Sequence, residues 1–237
     1  MPIVLTRRRS LGLAAAAALA AAPARADEVM DARHVIDQAA ITVERVRQGQ
    51  KSTAAMDDFL RRSKGVLVIP NYYKASFIFG GSYGDGVLLK RQGEATFGDP
   101  AFYRMTAGSI GLQAGMQSAE IVFMILTDKG LEAVLNDEFK IGANVGISVG
   151  SLGAGAEAAT TTNVGNDIVA YSLNAGLFAG GSFEGAVIKP RKDWNAAVYG
   201  VNNDDPRLIV ERNMLQAAQN LKDALAKNVY PAQPQLQ

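Results

Sequence analysis

The sequence predicts an α+β fold: a long, Gly-rich, mainly antiparallel and strongly curved sheet or partial barrel, packed with N-terminal helices, one inserted helix and a C-terminal helix. Three observations predict it. Apolar residues recur at three- and four-residue spacing near both ends of the chain. Between those ends, period-two alternation dominates, with glycine, serine and asparagine on the second face. The strand-like segments also follow one another with a single helical interruption, instead of alternating with helices as βαβ units would.

The first 26 residues are expected to lie outside this fold. Arg7-Arg8-Arg9 precede an apolar stretch from Leu11 to Ala22, and Ala24-Arg25-Ala26 follows. That is the pattern of a cleavable export signal with an A-x-A site. The apolar stretch is too short to span a bilayer. Thr6 to Leu11 resembles a twin-arginine address, and the absence of cysteine argues against a lipoprotein anchor. The expected organisation is a signal over 1–26, one domain over 27–230 and a flexible tail over 231–237. The expected location is periplasmic, with room for peripheral attachment to a membrane.

Removing the four arginines of the signal from 24 basic side chains leaves 20 against 23 acidic ones, a net charge of −3. A globally basic nucleic-acid-binding protein is excluded on that ground. Attachment to an anionic surface would need a local patch. Without cysteine there are no disulfides and no thiolate chemistry.

Val29, Ala32, Ile36, Ala39, Val43 and Val46 predict a helix from Asp27 to about Gln48. Ser52 is placed to cap a second, short helix carrying Met56, Phe59 and Leu60. "GVLVIP" reads as a buried strand, and "KASFIFGG" and "DGVLLKR" as strands around a Gly-rich turn. "MTAGSIGLQAGMQS" alternates, with Ile110, Leu112, Ala114 and Met116 on one face. "AEIVFMILT" is apolar throughout. "DKGLEAVLNDE" is helical, with Leu131, Val134 and Leu135 on one side. "FKIGANVGISVGS" and "IVAYSLNAGLFAGGSF" each read as one long strand with a Gly/Ser/Asn face. Repeated glycine on one face suits a coiled sheet or a closely approaching helix. "KDWNAAVYG" reads as a short helix or turn. "DPRLIVERNMLQAAQNLKDALAK" reads as a terminal helix, with Asp205 as cap and Pro206 at its first position.

"GGSYGDGVLLKR" at Gly80 to Arg91 rhymes with "AGGSFEGAVIKPR" at Ala179 to Arg191. A phosphate-binding loop leads into a helix N-terminus, whereas both of these lead into strands, so each reads as a hairpin turn. The one histidine, His34, lies in the first helix and offers neither a metal site nor an oriented base. Asp85, Asp99, Glu120, Asp128, Glu157, Asp167 and Glu184 show no spacing that marks an acid–base pair. No enzyme activity, cofactor or metal is expected.

Lys90, Arg91, Lys189, Arg191 and Lys192 follow the two rhyming stretches. If the hairpins are neighbours, these cations converge on an anionic headgroup; solvated strand ends are the alternative. Trp194 and Tyr199 follow at once, and such rings favour membrane–water boundaries. Arg33, Arg45 and Arg47 flank the stripe of the first helix. Its Val, Ile and Ala suit packing on a core, while an interfacial helix usually carries bulkier residues.

These motifs resemble the SYLF domain. "KGVLVIP", "KASFIFGGSYGDGVLLKR", "FGDPAFYRMTAGSIGLQAGMQSAEIVFMIL", "IGANVGISVG" and "AYSLNAGLFAGGSFEGAVIKPRKDWNAAVYG" keep the family's order. Phe97-Gly98-Asp99-Pro100 departs from it, since relatives often have Trp-Ser before x-Pro. The resemblance implies binding to acidic phospholipid through basic residues and an N-terminal amphipathic helix. The expected partner is therefore an anionic lipid or membrane surface, with no nucleic acid. No actin is expected for an exported chain, and the oligomeric state stays open. The rival expectation is a structural or interaction protein, or a carrier of a small apolar ligand, using the Gly-lined face.

Overall fold

The first helix is longer than the stripe that announces it. A computed structural model describes residues 7–49, 53–76, 79–110, 115–142, 145–151, 166–173 and 185–227. Helix α1 spans Arg7–Gly49 without a break, about 65 Å at 1.5 Å per residue. It extends N-terminally through the Ala-rich segment because alanine has the highest helix propensity. The expected cleavage after Ala26 falls inside it. Ala32, Ile36, Ala39, Val43 and Val46 are all buried. The apolar stripe is therefore occupied by the core. Helix α2 (Thr53–Arg62) buries Met56, Phe59 and Leu60 beside it.

Eight strands follow: β1 (Gly65–Ser76), β2 (Phe79–Lys90), β3 (Ala101–Ile110), β4 (Gly115–Ile125), β5 (Phe139–Lys140), β6 (Ile147–Ser151), β7 (Ile168–Leu173) and β8 (Val187–Pro190). They form one sheet in the order β5-β8-β3-β2-β1-β4-β7-β6. The run from β5 to β7 is antiparallel and curls into a half-barrel, and β6 joins β7 in parallel. The remaining helices are α3 (Asp128–Leu135), α4 (Lys192–Tyr199), α5 (Pro206–Ile209) and α6 (Gln219–Ala226), with a 3₁₀ turn at Gln216–Ala218 before α6. This is the α+β architecture expected.

Each face of the sheet carries a core. On face A, Leu67, Ile69, Tyr103, Phe123 and Ile188 pack under α3 and α5. On face B, Val66, Val68, Phe102, Val122 and Tyr171 pack under α1, α2, α4 and α6. Double coverage explains why "AEIVFMILT" is apolar throughout and does not alternate.

Four expectations about elements need correction. Gly80 to Tyr83 is not a turn: it lies inside β2, with Gly81 opposite Ala75 and Gly108. The matching stretch 179–184 lies outside the described residues. "MTAGSIGLQAGMQS" belongs to two strands, β3 and β4, whose pairing to β2 and β1 requires the chain to reverse between them. "FKIGANVGISVGS" is also divided. The chain turns at Gly142, where φ is +85°, and β5 and β6 end at opposite edges of the sheet. Finally, the terminal helix is broken into α5 and α6, although Asp205 does cap α5 through the Arg207 N–H. The break is where Asp99 accepts the N–H groups of Met214 and Leu215.

A polar clasp holds the start of α3. The Thr127 hydroxyl accepts the Gly130 N–H at 3.0 Å and donates to Asp167 at 2.6 Å. This hydrogen bond holds the Asp167 carboxyl below the usual carboxylate range, against a smaller opposing effect of burial, with help from Gly146 and Lys129. A carboxyl depressed in the folded state stabilises above its unfolded pKa, about 3.9, and loses that stabilisation as pH falls through the folded value. Asp167→Asn is therefore expected to lower Tm at neutral pH. Melting curves on both proteins should show the difference narrowing below about pH 4.

Candidate functional site

The central hairpin changes character halfway along. A bulge in β1 shifts its register against both β2 and β4 between Val68 and Tyr72. Two glycines of β2 lie against it: a Cβ on Gly86 would sit 2.2 Å from the Val68 carbonyl oxygen, and one on Gly84 2.6 Å from that of Asn71. Glycine here lets the strand cross a bulge that tightens the local twist.

Beyond the bulge, face B opens to solvent among the described residues. Tyr73 and Tyr83 sit opposite each other, 42% and 53% exposed, with ring centroids 5.9 Å apart. Gly81 and Gly108 lie beside them with nothing within 4 Å of where a Cβ would be. The result is an open patch of sheet with two exposed phenol rings.

Charges border this platform. The Arg104 guanidinium lies 5.9 Å from the Tyr83 ring centroid and forks onto Asp85, with both bonds at 2.7 Å. Arg191 reaches the same carboxylate at 2.9 Å, stacks 4.0 Å over the Trp194 ring and binds Asp193 at 2.6 Å. Burial opposes the Arg191 charge, but Asp193 and Asp85 outweigh it, and its pKa lies above the ordinary value. The Asp193 carboxyl is held low in return, chiefly by Arg191. Lys189 stands across from Arg104 on β8 and pairs with Glu138 at 2.7 Å.

The five cations do not converge as expected, because β3 lies between β2 and β8. Arg191 and Lys189 are level with Asp85, about 16 Å along β2 from Lys90 at 3.3 Å per residue. Lys90 pairs with Glu211. Arg91 donates to the backbone carbonyls of Leu60, Ser63 and Glu94 and lies over Phe97, so it ties the end of α2 to the sheet. Lys192 pairs with Asp137 at 3.0 Å on the other side of the strand end.

The interface candidates divide in the same way. Trp194 is buried edge-on against Phe102, so it is a core residue and not a boundary ring. Tyr199 is half-buried; burial raises its pKa, and its hydroxyl donates to the Pro100 carbonyl. Arg47, 3% exposed, ties three helices: it binds Asp57 of α2 at 2.9 Å and the Ala224 carbonyl of α6 at 2.9 Å. Trp194 and Arg47 are thus core residues, and Tyr199 is anchored to the Pro100 carbonyl. Arg45 is exposed and paired with Glu120 at 2.8 Å, while Arg33 is exposed on the outer side of α1.

Among the described residues no group of three ligating side chains could hold a metal ion. No described helix is long and apolar enough to cross a membrane. Asp85, Asp99, Glu120, Asp128 and Asp167 are each engaged by a cation; Glu157 and Glu184 lie outside the described residues. Sequence reasoning missed Tyr73, Tyr83 and Arg104. The adjacent pair Tyr72-Tyr73 was the available signal, since in a strand one of them must face away from the other.

A family model described as Ysc84, Las17-binding protein actin regulator, matches residues 106–228. LAS seventeen-binding protein 3 of Saccharomyces cerevisiae is 36% identical over 150 residues, covering 61% of this chain and 32% of the relative. Protein YSC84 of the same yeast is 35% identical over 148 residues, 60% and 31%. The SH3 domain-containing YSC84-like protein 1 of Homo sapiens is 25% identical over 141 residues, 59% and 41%. The match thus spans about a third of the yeast relatives' length. No solved structure matches. These names correct one expectation: the family description is of an actin regulator, so actin can no longer be set aside as a partner.

Proposed function

The chain belongs to the Ysc84 family, and from that premise we propose that it is a non-catalytic binding module for anionic phospholipid surfaces, presenting the Tyr73–Tyr83 platform to the headgroups. The observation that carries this reading is the pair of exposed phenol rings on an open, glycine-lined sheet face beside Arg104 and Lys189. Tyrosine sits well where one end of a side chain is apolar and the other wet. Arg104 and Lys189 supply attraction that is local and moderate, because Asp85 and Glu138 offset part of it. Insertion by the Ala32, Ile36, Ala39, Val43 and Val46 stripe of α1 plays no part in this reading, since that stripe is in the core. The reading keeps the export signal and a peripheral, periplasmic location. The relatives' names add an actin-linked protein partner as a second occupant of the same open face.

Co-sedimentation of the full chain with phosphatidylglycerol and phosphatidylcholine vesicles, at low and high salt, tests it. Binding is expected only to the anionic vesicles and is expected to weaken in salt. Tyr73→Ser with Tyr83→Ser should weaken it, and Lys189→Glu should cost roughly tenfold in affinity. Binding unchanged in both variants would overturn the platform. Pelleting with actin filaments but with neither vesicle would favour the protein-partner reading.

A further inference from the structure

Helix α1 carries a second stripe on the side away from the core. Met30, His34, Asp37, Ile41, Arg45 and Gln48 are all exposed and recur at three- and four-residue spacing, so they share one helix face. Ile41, 44% exposed, is the apolar centre of this stripe. It borders a groove of about 840 Å³ between α1 and α6. Ala40 and Ala224 line the groove with small side chains, which lets another helix approach closely. The stripe lies C-terminal to the expected cleavage after Ala26, so precursor and processed chain both carry it.

The charges say which helix fits. Asp37, Glu44 and Asp223 stand among Arg45 and Lys227 in the groove, so a partner of one sign would meet repulsion somewhere along it. A partner of alternating sign would not. Ile41 lies midway between opposite charges: Asp37 is four residues before it and Arg45 four residues after, each about 6 Å away along the axis. That arrangement is complementary to its own reverse. If a second α1 lies antiparallel, with the two Ile41 side chains at a two-fold axis, each Asp37 is level with Arg45 of the second copy. Each His34 is then level with Gln48 of the second copy. In a parallel pairing, like would face like. Both charges are available for this. The Asp37 carboxylate has no ion pair among the described residues. Arg45 gives one N–H to Glu120 at 2.8 Å, and its side chain remains 61% exposed; a guanidinium has further donors to offer.

We infer that two copies of this chain associate through α1, antiparallel across a two-fold axis at Ile41, with Asp37 of each copy paired to Arg45 of the other. The contact is isologous, so it closes at the dimer. Sedimentation velocity of the full chain over a concentration series tests it. The expected species has twice the mass of the 237-residue chain and dissociates on dilution. Ile41→Glu sets like charges at the axis and should leave a monomer. Asp37→Arg and Arg45→Asp should each weaken self-association about tenfold or more, because like charges then face each other. An equimolar mixture of those two variants, at a concentration where each alone is monomeric, should form a one-to-one heterodimer, since every facing pair is again opposite in sign. Formation of that heterodimer also shows that both variants fold. A parent chain that stays monomeric at every concentration would overturn the inference. So would self-association undiminished in both charge variants, or two monomeric variants that fail to pair when mixed.

Discussion

Asp99→Ala is expected to destabilise the protein by about 3 to 5 kcal/mol, the range for leaving one member of a buried ion pair alone. Asp99 is 1% exposed and Lys222 6%, and their charged atoms are 2.8 Å apart. The same carboxylate accepts the N–H of Met214 at 2.9 Å and of Leu215 at 3.1 Å. Removing it strands an ammonium with Asn213 as its remaining acceptor, and leaves two backbone donors unpaired. It also releases the segment that ends α5 and leads into α6. Urea denaturation of Asp99→Ala, Lys222→Met and the double variant measures the coupling. The double variant should be more stable than Asp99→Ala alone, because it removes the stranded charge. A double variant as unstable as the sum of the two would show that the pair is not coupled.

Gly98→Ala should cost about 3 kcal/mol, at the upper end for overpacking. A Cβ there would lie 1.8 Å from the Val210 carbonyl oxygen. That oxygen is backbone, so no side chain can turn aside, and Gly98 is itself fixed by its N–H bond to Lys90 at 2.8 Å. Gly81→Ala is the matched control. It has open space around the new methyl group and should stay within about 1 kcal/mol of the parent, on the stabilising side if a strand glycine's usual entropy cost is relieved. Equal losses at the two positions, read from denaturant midpoints, would contradict the packing described around Val210.

Phe97-Gly98-Asp99-Pro100 shows how far the residues alone could be read. The stretch stands out as a departure from the SYLF pattern, and Asp99 reads as one of seven undistinguished carboxylates. Its partner, Lys222, is more than a hundred residues away in what reads as a continuous helix. Nothing local announces the pair or the helix break it enforces. The site behaves likewise: Arg191 and Lys189 are legible as cations after an apolar run, but which acid neutralises each depends on strand order.

What the sequence determined by itself is what periodicity encodes. The stripe of α1, the apolar run of β4, the face of α3 and the Asp205–Pro206 start of α5 are all local patterns of burial or capping, and each is found in place. The glycine-rich alternation likewise announced a curved, mainly antiparallel sheet. Only the tertiary structure decided where strands end, which strands are neighbours and which charges meet. A β-strand's partners are chosen by non-local pairing, and one bulge or one intervening strand moves a side chain by many ångströms. That is why Lys90 and Lys189 are separated by β3, why Gly80 to Tyr83 is strand and not turn, and why Tyr73, Tyr83 and Arg104 come together on the open face.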